Sequence, residues 1–97
     1  MKRIPRKDID ELFHAILTLK TADEAKAFFR DLLTETEIRE ITERWKAARM
    51  LAAGIPYTRI IDETGLSSTT VARVARWVKK GTGGYQLAIN RTGLKQA

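Results

Sequence analysis

Residues 57–77 read Tyr57-Thr58-Arg59-Ile60-Ile61-Asp62-Glu63-Thr64-Gly65-Leu66-Ser67-Ser68-Thr69-Thr70-Val71-Ala72-Arg73-Val74-Ala75-Arg76-Trp77. The pattern is a short helix, a glycine-centred turn and a second, capped helix. Tyr57 to Thr64 fits the first helix, with Ile60 and Ile61 inward. Gly65 permits the positive φ of a tight turn. Leu66 plugs the angle between the helices. Ser67 satisfies free N–H groups at the start of the second helix. That helix runs to about Lys80, where Gly81-Thr82-Gly83-Gly84 stops it.

An α-helix turns about 100° per residue. Val71, Val74, Ala75 and Val78 then share one face and point at a core. Thr69, Arg73, Arg76 and Lys80 share the opposite face, with Ala72 on its flank. The outward surface starts with small hydroxyl residues and becomes arginine-rich. A helix presenting its first turns to a DNA major groove needs this arrangement. Small side chains allow close approach, and hydroxyls and arginines read base edges or hold phosphates. The helix start, Ser67 to Thr70, also favours a phosphate. Lys79, Lys80 and Arg76 add sequence-independent attraction.

Upstream, the chain reads as consecutive amphipathic helices. Asp8 is placed to cap the first, with Ile9, Leu12, Phe13, Ile16 and Leu17 as its stripe, and Leu19-Lys20 closes it. Thr21 to Glu24 has the form of a capping box. It opens a second helix through Ala25, Phe28, Phe29, Leu32 and Leu33. Thr34 to Glu37 is another box. It opens the longest helix, about Glu35 to Ala53, striped by Ile38, Ile41, Trp45, Ala48, Leu51 and Ala52. Gly54 ends it. Downstream, Tyr85, Leu87 and Ile89 alternate with polar or small residues. A short strand and one helical turn both fit. Thr92 to Ala97 reads as a loose tail.

Ninety-seven residues make one domain. Residues 8–53 form helical arms and core, 57–80 the helix-turn-helix, and 81–97 a C-terminal segment and tail. So small a chain hides about 60–65% of its unfolded surface, which makes a dimer a natural source of further core. Eighteen Lys and Arg against twelve Asp and Glu give +6. The positive charge sits at the ends. Residues 1–7 carry Lys2, Arg3, Arg6 and Lys7 without an acid, so a basic arm stands ready to touch DNA or simply frays. Residues 8–53 hold ten acids against seven bases. Cysteine is absent, excluding disulfides and thiolate chemistry. No apolar run approaches the ~18–20 residues of a membrane span, and the start lacks a signal-peptide apolar core. The chain reads as soluble and cytoplasmic.

Leu33-Thr34-Glu35-Thr36-Glu37-Ile38, Arg44-Trp45, Leu51-Ala52-Ala53-Gly54 and Gly65-Leu66-Ser67-Ser68-Thr69-Thr70-Val71-Ala72-Arg73 resemble the Trp repressor superfamily. Gly83-Gly84-Tyr85 after the last long helix resembles its YerC/YecD-like branch. The resemblance spans roughly residues 8–90. It implies an all-α, intertwined helical homodimer whose helix-turn-helix units form two DNA-reading heads. It implies a transcriptional regulator, in the manner of a repressor, on double-stranded DNA. Arg59, Ser68, Thr69, Thr70 and Ala72 stand at DNA-contacting positions, beside Ser67, Arg73, Arg76 and Lys80. Arg59 suits a phosphate contact or a solvent-facing charge.

Arg44 and Arg73 match two arginines that hold a corepressor in the Trp repressor itself. The resemblance thus implies an amino-acid-like or aromatic small-molecule effector. Two alternatives stand beside it: Arg44 pairing with Glu40 along its helix, and Arg73 serving the groove or only solvent. Trp45 and Trp77 read as core or dimer-contact residues.

No catalytic constellation is evident. His14 is the single histidine, on an amphipathic helix without a partnered nucleophile. No glycine-rich phosphate loop precedes a helix. No cofactor or metal is implied, and the chain does not read as an enzyme. The alternative to DNA binding is a helical dimeric protein-interaction module.

Overall fold

A computed structural model gives the structure of residues 3–93. Among these residues the chain is entirely helical. Six helices follow in order: α1 (Arg6–Leu17), α2 (Ala22–Leu32), α3 (Glu35–Ala52), α4 (Tyr57–Thr64), α5 (Ser68–Lys80) and α6 (Gly84–Thr92). They fall into two compact units, one ending at Ile38 and one beginning at Arg39.

The first unit holds α1, α2 and the start of α3. Helix α1 begins at Arg6, two residues ahead of the expected Asp8 cap. Pro5 occupies the cap position with φ −61° and ψ 141°. Its ring fixes a φ that suits a helix start, and it has no N–H to leave unpaired. Asp8 lies instead in the first turn, where a carboxylate favours the dipole. The helix closes at Leu17, earlier than Leu19-Lys20: the Thr18 and Leu19 N–H groups turn back to Ala15 O and Ile16 O at 3.1 and 3.2 Å, and the Thr18 hydroxyl also donates to Ala15 O at 2.6 Å.

Local chemistry fixes the next two starts as the sequence indicates. The Glu24 N–H donates to Thr21 Oγ1 at 3.1 Å. The Glu24 carboxylate reaches one residue further back and accepts from the Lys20 N–H at 2.8 Å. At Thr34 the exchange is fully reciprocal. The Glu37 N–H donates to Thr34 Oγ1 at 3.1 Å, and the Thr34 N–H donates to Glu37 Oε1 at 2.9 Å. Helices α1 and α2 contain no buried residue. Phe13 is 56% exposed and Leu17 83%.

The second unit owns the core. Ala47, Ala48, Ile60, Val71, Val74 and Val78 are buried together, with Trp45, Met50, Leu51, Ile55, Ile61, Leu66 and Tyr85 packed around them. Each large aliphatic side chain hidden here contributes about 1.5–3 kcal/mol. The α3 stripe follows the expected one at Trp45, Ala48 and Leu51, with two differences. Ala47 joins Ala48 inside, while Ile41 stays exposed.

Helices α4 and α5 meet at Gly65, whose φ of 76° lies in the left-handed region. Any β-carbon there costs strain. Thr64, buried, stitches the turn. Its hydroxyl donates to Ile60 O at 2.7 Å and accepts from the Leu66 N–H at 3.2 Å.

The segment from Gly84 is a helix of nine residues, neither the strand nor the single turn that its alternation allows. Tyr85 and Ile89 are four apart and share a helical face. The Tyr85 ring stacks on Trp45 with centroids 6.4 Å apart, and Ile89 is fully buried. Gln86 ties α6 to the end of α5 by donating to Val78 O at 2.9 Å. Thr92 belongs to this helix. The rest of the expected loose tail, from residue 94 on, lies outside the described residues.

Candidate nucleic-acid interface

Helix α5 presents the face that its spacing predicts. Val71, Val74, Ala75 and Val78 are buried. Ser68, Thr69, Ala72, Arg73, Arg76, Lys79 and Lys80 are exposed. The helix contains no acid, and its bases cluster toward the C-terminus, where they favour the dipole. An exposed strip thus runs from small hydroxyls to four cations.

Two of the candidate hydroxyls have other work. Ser67 Oγ accepts the Thr70 N–H at 3.1 Å, closing the N-cap. The Ser67 hydroxyl in turn donates to Thr70 Oγ1 at 3.0 Å. Thr70 is half-buried and faces a cavity rather than the outer strip. Ser68 and Thr69 remain the outward hydroxyls of the first turn.

Arg59 lies exposed on α4. Its Nε donates to Glu63 Oε2 at 2.8 Å. That hydrogen bond, with the positive charge behind it, holds the Glu63 carboxyl below the usual carboxylate range.

A cavity of about 480 Å³ opens beside α5. Arg44 from α3 and Arg73 from α5 both line it, with Thr70, Val74, Trp77, Thr82, Gly84 and Tyr85. The two arginines singled out by resemblance therefore share one site. Neither pairs with a carboxylate among the described residues, so the Glu40–Arg44 pair that the spacing allows is not formed. The lining joins two cations, three hydroxyls and aromatic walls, and contains no acid. Such a surface accepts an anionic group and a flat apolar body.

Trp77 is 52% exposed and walls this cavity; it is not a core residue of the chain. Trp45 is half-buried against the core and stacks on Tyr85. The sequence holds a signal for Trp77, which stands one helical turn after Arg73. Nothing in it places Tyr85 or Thr82 at this cavity, because their positions depend on where α6 docks.

The match to the Trp repressor protein family model covers residues 7–93. The chain belongs to the Trp repressor family. Within that family it is similar to the uncharacterized protein YerC of Bacillus subtilis (strain 168). The two are 42% identical over 85 residues, covering 88% of this chain and 82% of YerC. A TrpR like protein from Eubacterium eligens ATCC 27750 superimposes with a TM-score of 0.89 at 37% identity, covering 94% of each chain. A solved chain from Staphylococcus aureus gives the same TM-score at 35% identity, covering 96% of this chain and 93% of its own. The Trp repressor-like fold thus holds across the whole helical span.

Among the described residues of this family member, no three His, Cys, Asp or Glu side chains gather to hold a metal. No helix among the described residues is long and apolar enough to cross a membrane.

Proposed function

We propose that the protein is a homodimeric, sequence-specific regulator that binds double-stranded DNA and represses transcription at its operator. The observation that carries this reading is the outer face of α5. Ser68, Thr69 and Ala72 offer a small, polar leading surface, and Arg73, Arg76 and Lys80 follow as exposed cations on a helix without acids. Ser67 and Thr70 support the start of that helix from within. Family membership favours a DNA-binding regulator over the alternatives.

The uncovered apolar residues of the arms support a dimer. Ile9, Leu12, Phe13 and Leu17 on α1, and Leu32 on α2, stand exposed in the single chain. Contiguous apolar surface of this kind marks an association site. Two-fold symmetry then sets two α5 helices into successive major grooves, with half-sites about one helical turn, roughly 34–36 Å, apart.

The Arg44–Arg73 cavity supports control by a small effector with an acidic group and a flat body, such as an amino-acid-like or aromatic acid. Because Arg73 lies on both the cavity and α5, an occupant changes the DNA-binding head directly. Its influence is the difference between its affinities for the two states of that head.

The test is selection from a random duplex pool at near-physiological salt, repeated with amino acids and metabolites added. A two-fold symmetric motif supports the reading. Enrichment only in the presence of the mixture adds an obligate effector. Absence of enrichment in both arms overturns sequence-specific binding and favours a protein-interaction module or merely nonspecific DNA binding.

A further inference from the structure

Every charge on the lining of the cavity beside α5 is positive. Arg44 and Arg73 are exposed and unpaired among the described residues, and the lining holds no Asp, Glu or His. Further donors stand at the same wall. Gly84 and Tyr85 open α6, and their N–H groups find no acceptor among the described residues. Gly83 occupies the cap position with φ 96° and has no side chain to offer one. These N–H groups carry the positive end of the α6 dipole. The Thr82 hydroxyl adds one more donor to the lining.

This surplus of donors selects the head group. A carboxylate has one charge and two oxygens, and a single guanidinium fork engages both. The second arginine and the α6 N–H groups are then left without an acceptor. A phosphomonoester presents three terminal oxygens and nearly two charges at neutral pH, so both arginines can act on one head. An amino acid fits worse than either. Its net charge is zero, and its ammonium enters the field of two cations with no acid on the lining to receive it. The remaining walls suit a ring. Val74, Trp77 and Tyr85 supply apolar and aromatic surface, and Tyr85 is held in place by its stack on Trp45. The volume of about 480 Å³ matches a small-molecule site.

We propose that the cavity binds a phosphomonoester of a flat aromatic body in preference to an amino acid or a simple aromatic acid. This inference rests on the effector reading of the cavity and narrows it to one class of ligand.

The experiment is calorimetric titration of the full-length protein without DNA. The probes are phenyl phosphate, inorganic phosphate, 3-phenylpropionate, L-phenylalanine and L-tryptophan. Phenyl phosphate should bind at least about 10-fold tighter than each of the others, the lower end for one added hydrogen bond to a charged group. Its affinity should fall about 4-fold from pH 7.5 to 5.5, as the second phosphate proton returns with a pKa of about 6. The affinity of 3-phenylpropionate should stay nearly level, because no lining side chain titrates there. Arg44→Gln and Arg73→Gln should each weaken phenyl phosphate at least about 10-fold, with unchanged circular dichroism. Equal or tighter binding of 3-phenylpropionate or either amino acid overturns the phosphomonoester class and leaves an acid effector standing. Equal binding of inorganic phosphate overturns the role of the ring and reduces the cavity to a bare anion seat. Binding that survives both arginine variants overturns the assignment to this cavity. No binding of any probe overturns this inference and the effector reading together, while DNA recognition is judged separately by the duplex selection.

Discussion

Gly81 is expected to be intolerant of even one added carbon. Its φ of −81° lies outside the left-handed region that favours glycine, so the obstacle lies in the atoms around it. A β-carbon there would lie 2.4 Å from the Trp77 carbonyl oxygen and 2.8 Å from Trp77 Cε3. The indole can swing away, but the carbonyl belongs to the last turn of α5 and cannot. The turn must open. That lengthens or breaks the Gly81 N–H bond to Trp77 O, now 2.9 Å, worth about 1 kcal/mol. Relief of the overlap costs about 1–3 kcal/mol more. Gly81→Ala should therefore lose about 2–4 kcal/mol, a large part of the ~5–15 kcal/mol typical of a whole domain.

Urea unfolding followed by circular dichroism measures the loss, at one fixed protein concentration because a dimer's stability depends on it. Tryptophan emission of the folded variant should shift as well, since Trp77 is displaced. Gly65→Ala is the contrasting control. No atom lies within 4 Å of its added carbon, and only its φ of 76° is at stake. It should lose only about 1–2 kcal/mol, with folded-state emission unchanged. A Gly81→Ala protein within about 0.5 kcal/mol of wild type, with unshifted emission, would refute the packing of Trp77 over the end of α5, since changes that small typify neutral surface sites.

Ser67→Ala removes the α5 cap and should lower stability by about 0.5–2 kcal/mol, while Ser67→Asn restores most of it; the urea midpoint reads both. Phe13→Asp puts a charge on the uncovered α1 face and should turn the proposed dimer into monomer in sedimentation at micromolar protein; an unchanged dimer would remove α1 from the interface. Arg76→Ala and Lys80→Ala should each flatten the dependence of log affinity on log salt by about 0.9 for every phosphate no longer neutralised, whereas Thr69→Val should alter base preference at nearly constant slope. Glu63 titrates lower in the folded chain than its unfolded value near 4.3. Its pair with Arg59 is therefore complete above that range and is lost only as pH falls through the lower folded value. A direct NMR titration of the carboxyl should show this, with a rise in Arg59→Ala; a Glu63 transition near neutral pH would contradict it.

Much of the helical framework is legible because its causes are local. The reciprocal bonds of Thr34 and Glu37, the Ser67 cap and the turn at Gly65 each act within four residues. The buried face of α5 follows from helical period alone. The start of α1 differs from the expectation because Asp8, a good capping residue, competes with a proline three positions earlier that already fits a helix start. The Arg59–Glu63 spacing is also present in the sequence, but spacing alone does not say that the pair forms or which guanidinium nitrogen is used.

Local sequence dictates that the chain is helical, where most helices begin, and that α5 turns valines inward and cations outward. These are contests between neighbours along one chain. The three-dimensional packing decided that residues 84–92 form a helix, because Tyr85 finds Trp45 and Ile89 finds the interior only when α6 folds back. It also decided that Arg44 and Arg73, remote in sequence, line one cavity with Trp77 and Tyr85. No local rule brings such residues together. Their meeting depends on burial of the apolar face shared by α3, α4 and α5, and the cavity is what that packing leaves at its edge.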